Sequence, residues 1–323
     1  MRSPIRSALV AATAALCCVG SLLAAPAADA TGHKISSDSV ADPGFSRFGS
    51  SYYVYGTGPK AQNVPIYAGT AITEDFDLSG YAFRTARLDG YSSIWAPHVV
   101  NRNGRYFMFF TASLNGGKHC IYWAVSSTNA PRSYSSPTLL LCAANRQGET
   151  WEAIDPSTYE TAAGNTYLVW RSGHIQPDFP IGDYQIRAAM LSFSGSSVTL
   201  TAGSPRIKLL GVENETVVEA PDIIRYDGKV YLFVSRGDFR NSSYRTDVYI
   251  ADSIHGEFRF LKNLMSSGQG FGSGPGGAEV LEVSATSTRI AWHFRNSTGR
   301  HTRVGVISWT KTSPVASYVP SVV

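Results

Sequence analysis

The chain has 323 residues, with 28 lysines and arginines against 24 aspartates and glutamates and a formal net charge of +4. Charged residues make up 16% of the sequence, hydrophobic residues 43% and aromatic residues 12%, which excludes an intrinsically disordered or coiled-coil protein. No run of basic residues marks a surface for nucleic acid or for a membrane, so we expect neither as a partner.

Residues 1–30 have the pattern of a secretory signal peptide. Arg2 and Arg6 form a basic start, an apolar run follows, and Ala28-Asp29-Ala30 has the small-x-small form of a cleavage site. The apolar run is short and contains Gly20, unlike a membrane span. The mature protein is therefore predicted to be secreted to the extracellular space, where we expect a monomer.

The four cysteines fall into two pairs. Cys17 and Cys18 lie within the predicted signal peptide, so the mature chain keeps Cys120 and Cys142. Two cysteines in an exported protein most simply form one disulfide, and without clustered histidines they are a poor zinc site. We therefore predict a structural bond between Cys120 and Cys142, which in the chain-entropy model contributes on the order of 3 kcal/mol.

The rest of the chain contains a repeat that recurs five times, at intervals of roughly sixty residues. One part of it is a turn followed by an aromatic strand, at residues 49–57, 104–111, 164–172, 228–235 and 288–295. A short motif that ends in proline comes before each strand: Ala41-Asp42-Pro43, Trp95-Ala96-Pro97, Ile154-Asp155-Pro156, Glu219-Ala220-Pro221 and, further upstream of its strand, Gly274-Pro275. A further β-type run follows each aromatic strand.

Each repeat therefore predicts three or four strands without an amphipathic helix between them. Short antiparallel sheets in such succession pack radially, so we predict an all-β, five-bladed β-propeller in a single domain. The propeller domain spans residues 40–312, with an N-terminal extension at 31–39 and a C-terminal tail at 313–323. A pair of β-sandwiches is the alternative, but it gives no reason for one motif to recur at this spacing.

Three of the five motifs carry an acid: Asp42, Asp155 and Glu219. Equivalent positions of different blades converge on the central channel of a propeller, so these carboxyls are predicted to meet there. Carboxylates that share one site repel each other, which drives their pKa values apart and suits them to acid and base roles. Glycoside hydrolysis needs such a set, because one carboxylic acid protonates the departing oxygen while a carboxylate attacks the anomeric carbon or activates water.

These motifs resemble glycoside hydrolase family 43, whose members are five-bladed propellers that act mainly on arabinose- and xylose-containing glycans. The resemblance covers residues from about Val40 to Thr310 and rests on one motif in each blade: Ala41-Asp42-Pro43, Ser93-Ile94-Trp95-Ala96-Pro97, Ile154-Asp155-Pro156-Ser157, Val218-Glu219-Ala220-Pro221, and Trp292-His293-Phe294 with Gly299-Arg300. The chain departs from the family at Glu219-Ala220-Pro221, where Glu-Gly-Pro is commoner, and at Gly274-Pro275-Gly276-Gly277, which lacks a histidine found in many members.

The resemblance implies a role for each acid. Asp42 is predicted to be the general base that activates water, Glu219 the general acid that protonates the leaving oxygen, and Asp155 the residue that orients Glu219 and tunes its pKa. That is an inverting mechanism, which implies acid and base carboxyls roughly 6.5–9.5 Å apart. Acids such as Asp222 and Glu279 are expected to be structural or surface groups.

Trp95, Arg300 and His293 are the candidate substrate-binding residues. The ring of Trp95 suits the face of a sugar, and a buried structural tryptophan is the alternative. The planar guanidinium of Arg300 suits sugar hydroxyls, and a surface ion pair is the alternative. His293 resembles the channel histidine of the family, near which some relatives hold a cation, so a structural calcium or sodium ion is allowed there. The chemistry itself requires no metal and no other cofactor.

We therefore predict a secreted, inverting glycosidase that cleaves arabinose-containing glycans of the plant cell wall, with an exo-acting α-L-arabinofuranosidase as the preferred activity. The expected partner is an oligo- or polysaccharide of the arabinan, arabinoxylan or xylan type. A β-xylosidase or an endo-arabinanase on the same fold is the alternative, and the loop at residues 172–183 would decide between them. A non-catalytic carbohydrate-binding propeller should lack one of the three acids, yet all three are present.

Overall fold

The computed structural model describes residues 32–60, 62–126, 128, 130–142, 152–173, 184–211, 217–312 and 317–322. The predicted signal peptide lies outside the described residues. So do positions 174–183 of the loop that was expected to decide the substrate.

The described residues form five antiparallel sheets. The first strand of the described part is β1 (His33–Lys34). Blade one follows and consists of β2 (Ala41–Phe48), β3 (Ser51–Thr57), β4 (Pro65–Gly69) and β5 (Asp77–Tyr81). After a 3₁₀ turn at Thr85–Arg87, blade two consists of β6 (Tyr91–Arg102), β7 (Arg105–Leu114), β8 (His119–Val125) and β9 (Thr138–Leu141). Blade three consists of β10 (Glu152–Glu160), β11 (Thr166–Gly173), β12 (Gln185–Ser194), β13 (Ser197–Leu200) and β14 (Ile207–Gly211). Blade four consists of β15 (Val218–Tyr226), β16 (Lys229–Arg236), β17 (Arg245–Ala251) and β18 (Arg259–Met265), and blade five of β19 (Ser273–Ser284), β20 (Ser287–Asn296), β21 (Gly299–Thr312) and β22 (Ser317–Val322).

The sheets are arranged radially. The first strand of each blade contacts the first strand of the next, and β19 of blade five returns to β2 of blade one. These five strands therefore line the axis, which confirms the five-bladed propeller and excludes a pair of sandwiches. In the part of the chain that the structure describes, no helix is long and apolar enough to cross a membrane.

Five apolar clusters fill the spaces between neighbouring blades. The second strand of each blade contributes to the clusters on both of its sides, as Phe107 and Phe110 of β7 do. Such a strand is buried on both faces, so it needs apolar residues at successive positions rather than at alternate ones. This explains the five aromatic runs in the sequence.

The ring is closed at its N-terminal end. β1 pairs with β21 of blade five, where His33 lies opposite Val304. Next to it, the fully buried Ile35 donates its N–H to the Thr302 carbonyl at 3.2 Å and accepts the N–H of Phe76 at 2.8 Å. The segment that the sequence separated as an extension therefore connects blade five to blade one. β22, from the predicted C-terminal tail, is added to blade five beside β21.

Cys120 of β8 and Cys142, which follows β9, are joined by a disulfide with a Cα separation of 4.6 Å. The structure thus agrees with the pairing that the sequence predicted. The bond fixes the two outer strands of blade two to each other.

Every first strand has a bulge near its start. In each blade the pairing register shifts at this point, and one residue adopts a left-handed φ: Asp42 (47°), Ala96 (45°), Asp155 (53°), Ala220 (47°) and Gly277 (58°). In four blades the next residue is a proline, which has no N–H for the ladder and so favours such an interruption. β19 of blade five has one register shift at Gly274-Pro275 and a second at Gly277, and the second matches the bulges of the other blades. The equivalent of the other motifs therefore lies three residues after Gly274-Pro275.

The bulge amides are held by the preceding blade. Each N–H donates to a side chain there: Asp42 to His293 Nδ1 (3.1 Å), Ala96 to Thr57 Oγ1 (3.0 Å), Asp155 to Thr111 Oγ1 (3.0 Å), Ala220 to Asp155 Oδ2 (3.0 Å) and Gly277 to Ser235 Oγ (2.7 Å). Buried amides that leave a β-ladder need such partners. The position of every bulge is therefore set by its neighbour around the axis.

Candidate active site

The three predicted catalytic acids meet at the bulged ends of the first strands. Burial favours the neutral form of all three carboxyls, and the charge of Asp42 raises the pKa of both Asp155 and Glu219. Asp42 and Asp155 occupy the bulge position itself, whereas Glu219 comes one residue before the bulge. The position equivalent to Glu219 in blade two is that of Trp95. The acids are thus gathered as predicted, but Glu219 projects from a different point of its strand.

Asp42 is held in its ionised form. Its Oδ1 accepts a hydrogen bond from Arg300 Nη1 at 2.9 Å and lies 3.3 Å from His293 Nδ1. Burial alone would raise the pKa of Asp42, but the charge of Arg300 and hydrogen bonds from Thr57 and Arg300 outweigh it, so the pKa is lowered. An ionised carboxylate beside an arginine is suited to act as a base toward water.

His293 is fully buried and neutral. Burial, aided by the nearby Arg300 charge, lowers the pKa of His293 to about 3. Its Nδ1 accepts the Asp42 N–H, so the ring hydrogen is on Nε2. That Nε2 has no hydrogen-bond partner among the described residues.

The arrangement around His293 does not fit direct ligation of a cation by this residue, because a protonated Nε2 is a donor and Nδ1 is already occupied. Among the described residues, no group of three or more His, Cys, Asp or Glu side chains is arranged to hold a metal ion. The channel calcium or sodium ion thus stays a prediction.

The pKa values of Asp155 and Glu219 are both shifted upward. Burial raises the pKa of both carboxyls, and for Asp155 the charge of Glu219 raises it further. Asp155 Oδ2 accepts the N–H of Ala220 at 3.0 Å. Asp155 therefore contacts strand β15 at the residue that follows Glu219. Both shifts favour the neutral, protonated form of these carboxyls. The pKa of Asp42 is thus shifted downward, whereas those of Asp155 and Glu219 are shifted upward.

Tyr244 is a site residue that the sequence analysis missed. This buried side chain donates its hydroxyl hydrogen to Glu219 Oε1 at 2.8 Å, and its ring stacks on His293 with a centroid distance of 5.6 Å. Tyr244 therefore contacts both the predicted acid and the residue that holds the predicted base. It lies in the segment between β16 and β17, where no repeated motif marks it.

A second set of residues, of which the sequence analysis named only His293, did leave a signal in the sequence. The second strand of each blade carries a polar residue opposite the position that precedes the bulge: Thr57, Thr111, Arg171, Ser235 and His293. Four of them bind the bulge amide of the next blade, and the charge of the fifth, Arg171, opposes the rise in pKa of both Asp155 and Glu219. A polar residue at the end of every aromatic run is a pattern that the sequence displays.

Trp95 and Arg300 both lie at the site. Trp95 is half-buried and stacks on His119 at 4.3 Å, and Glu152 Oε1 lies 2.8 Å from Nδ1 of that histidine. Arg300 is bound to Asp42 and packs against the exposed ring of Phe239, with 5.2 Å between Cζ and the ring centroid. Arg300 contacts Asp42 through one nitrogen of its guanidinium, Nη1. Sugar binding by Trp95, Arg300 and His293 remains a prediction.

A ring of mainly polar side chains lies one layer below the acids. It comes from the residues two places after each bulge: Gly44, His98, Ser157, Asp222 and Glu279, with Phe45 and Thr158 following next. Glu279 Oε1 accepts the N–H of Phe45 at 2.9 Å and lies 3.1 Å from His98 Nδ1. His98 Nε2 in turn lies 2.8 Å from Thr158 Oγ1, and Asp222 Oδ2 accepts the N–H of Val280 at 2.6 Å.

These contacts join blade five to blades one, two and four, and blade two to blade three. Burial lowers the pKa of His98, but the Glu279 carboxylate outweighs it and the net pKa is raised. Burial and the Glu279 charge raise the pKa of Asp222 to about 7. Asp222 and Glu279 are therefore buried structural groups of the axis, and an open pocket along it is lined by both of them and by Asp42 and Asp155.

Comparison with known proteins agrees with this geometry. The family described as "Glycosyl hydrolases family 43" matches residues 33–313. The "Probable arabinan endo-1,5-alpha-L-arabinosidase C" of Aspergillus niger is 21% identical over 269 residues, covering 76% of this chain and 79% of the relative. The "Extracellular endo-alpha-(1->5)-L-arabinanase 1" of Bacillus subtilis is 23% identical over 271 residues, covering 76% of this chain and 78% of the relative. Among solved structures, a thermostable family-43 glycoside hydrolase superposes with a TM-score of 0.72 at 19% identity, over 89% of this chain and 95% of the other.

Proposed function

Since this chain belongs to glycosyl hydrolase family 43 and is a glycosidase that hydrolyses O-glycosyl bonds, we propose that its substrate is α-1,5-linked arabinan and that it cleaves within the chain. Both relatives described above carry names of endo-acting arabinanases. Their names favour the internal cleavage that the sequence analysis kept as an alternative over the exo action that it preferred. Exo-arabinofuranosidase and β-xylosidase activities become the competing outcomes of the experiment.

The observation that carries the proposal is the opposite direction of the pKa shifts of the acids. The Arg300 charge and its hydrogen bond lower the pKa of Asp42, while burial and neighbouring negative charges raise those of Asp155 and Glu219. In the proposed reaction Asp42 removes a proton from a water molecule, whose oxygen attacks the anomeric carbon. The bond to the leaving oxygen breaks, and Glu219 gives that oxygen its proton. One attack from the side opposite the leaving group inverts the anomeric configuration.

A substrate screen tests the activity. We expect the protein to hydrolyse linear α-1,5-arabinan to a range of oligosaccharides, with a rapid fall in viscosity and α-to-β inversion visible by NMR. Aryl α-L-arabinofuranoside and aryl β-D-xyloside serve as comparison substrates. Release of arabinose alone from the start of the reaction would mean exo action, and cleavage of the xyloside alone would mean that the substrate class is wrong.

Two substitutions test the division of roles. Glu219→Gln removes the proton donor, so an aryl substrate with a poor leaving group should lose several orders of magnitude in rate, whereas one with a dinitrophenolate leaving group should lose far less. Asp42→Asn removes the base, so both substrates should suffer alike. Added azide should rescue Asp42→Asn and not Glu219→Gln, because a small anion replaces activated water. Equal dependence on the leaving group in both variants would show that acid and base are assigned wrongly.

We also propose that the protein is exported. The signal-like pattern of residues 1–30, the disulfide between Cys120 and Cys142, and the word "Extracellular" in the name of one relative support this. N-terminal sequencing of protein from the culture medium should give a chain that starts near Thr31. Recovery of the full-length chain from the cytoplasm alone would contradict export.

A further inference from the structure

The segment between β16 and β17 reaches both sides of the catalytic centre. At its end, Tyr244 donates a hydrogen bond to Glu219 at 2.8 Å. Nearer its start, the ring of Phe239 packs on Arg300, with Cζ 5.2 Å from the ring centroid, and Arg300 binds Asp42 at 2.9 Å. A single short segment thus contacts the predicted acid directly and the predicted base through one arginine.

This segment is held in place by its own hydrogen bonds. The carboxylate of Asp238 binds the guanidinium of Arg240 at distances of 2.8 to 3.0 Å. The Asp238 N–H donates to Ser243 Oγ at 3.1 Å, and Ser267, in the segment that joins β18 to β19, donates to the Ser242 carbonyl at 2.7 Å. Phe239 therefore sits on a pre-formed support, which lowers the ordering cost of any contact that it makes.

Phe239 is 43% exposed, although one side of its ring is in contact with Arg300. Leaving this much of a phenylalanine in water is unfavourable. Other large apolar side chains that are exposed, such as Leu78, Tyr81 and Phe260, belong to the fourth strands of their blades, away from the axis. Phe239 is exposed at the catalytic centre instead. Exposed aromatic rings beside a concave site commonly contact ligand, and the C–H face of a sugar offers an apolar surface of matching shape.

We propose that Phe239, supported by Arg300, forms a subsite for a sugar unit of the arabinan chain adjacent to the unit whose bond is cleaved. The proposal rests on the proposed function. The cleaved unit has to lie between the carboxyls of Asp42 and Glu219. Phe239 is separated from Asp42 by the width of the Arg300 guanidinium, which places its ring beside the next unit of the chain.

Binding to a catalytically silent variant tests this. Glu219→Gln should bind α-1,5-arabinohexaose, as measured by calorimetry. Adding Phe239→Ala should weaken that binding about tenfold, because the stacking surface is lost. Adding Phe239→Tyr instead should keep the affinity within about twofold, because the ring is retained. Phe260→Ala, which removes an equally large and more exposed ring from the outer strand of the same blade, should leave the affinity unchanged.

The outcomes separate the two proposals. No binding of arabinohexaose by Glu219→Gln would overturn the proposed substrate, whatever the later variants do. Binding that Phe239→Ala does not weaken would overturn the subsite alone. A pH–rate profile of Phe239→Ala, made without the Glu219→Gln substitution, tests whether Phe239 acts through Arg300 instead of contacting sugar. Its acidic limb, set by Asp42, should stay in place, and a shift of that limb would mean that Phe239 acts by holding Arg300 rather than by contacting sugar.

Discussion

Asp42 and Asp155 are the same residue type at the same bulge position, yet their surroundings drive their pKa values in opposite directions. Both are subject to burial, which favours the neutral form. Asp42 has Arg300 within hydrogen-bond distance, whereas Asp155 has Glu219 and Asp42 as charged neighbours. The charge that faces each carboxyl, rather than its place in the repeat, decides whether it is suited to be a base or a proton-holding partner.

Tyr244 and Asp155 should move the basic limb of the pH–rate profile in opposite directions. That limb reports the pKa of the acid. Tyr244→Phe removes a hydrogen bond that stabilises the ionised form of Glu219, so the pKa should rise and the limb should move to higher pH by about one unit. Asp155→Asn removes a negative neighbour, so the pKa of Glu219 should fall and the limb should move to lower pH.

Initial rates between pH 4 and 10 on one arabinan substrate measure both shifts. The acidic limb, set by Asp42, is the internal control and should change little in Tyr244→Phe. A shift of both variants in the same direction would contradict the view that Tyr244 stabilises the ionised acid.

At the scale of single elements, the bulge explains why glycine is favourable beside the acid. Ala220 and Ala96 both have a left-handed φ, at 47° and 45°, which strains any residue with a side chain. We expect Ala220→Gly to stabilise the protein by about 1 kcal/mol and to keep its activity. Ala96→Gly, in a blade without an acid, should stabilise it similarly. Ala112→Gly, in the ordinary strand β7, should destabilise it instead.

Chemical denaturation of the three glycine variants measures these effects. Destabilisation by Ala220→Gly of the size seen for Ala112→Gly would mean that the bulge stores no strain. The chain would then differ from the commoner Glu-Gly-Pro motif without a cost to its stability.

The ring below the acids should be a major source of stability. Glu279→Gln keeps an acceptor for the Phe45 N–H but leaves His98 without its negative partner in a buried position. Removing one member of a buried pair costs about 3 kcal/mol, so the free energy of unfolding should fall by that amount. Glu282→Gln, three residues further along β19 at an exposed position, is the matched control and should change it little. Equal stability of the two variants would contradict the role given to the ring.

At the scale of the whole molecule, a propeller is stable only when its last blade is joined to its first. Ile35 lies at that junction and is fully buried, with backbone hydrogen bonds to both blades. Ile35→Ala should lower the free energy of unfolding by about 3 kcal/mol through lost burial and the cavity that remains. Leu78→Ala, at a 48% exposed position on the outer edge of blade one, should have little effect. Thermal unfolding of both variants checks this, and a small effect of Ile35→Ala would show that closure does not depend on this segment.

Much of the fold was predictable because each blade repeats the same burial pattern. The second strands have apolar clusters on both sides, so their aromatic runs stand out in the sequence. The equivalent of the other motifs in blade five could not be recognised in the sequence because Gly276-Gly277 has no proline to mark it, and the pairing of Gly276 with His293 locates it in the structure. Phe239 was not predicted at all, because a single phenylalanine between two strands carries no periodic signal.

The sequence by itself determined the number of blades, the strands that line the axis and the acids at their ends, because these depend on patterns local to each repeat. Only the tertiary structure decided the chemistry of those acids. Arg300 and Asp42 are 258 positions apart in the chain and meet because the ring closes. Tyr244, from the segment between β16 and β17, likewise meets Glu219 of β15 and His293 of β20. Periodicity records how deeply a strand is buried, but a pKa depends on which charges face the group across the axis, and folding alone brings those charges together.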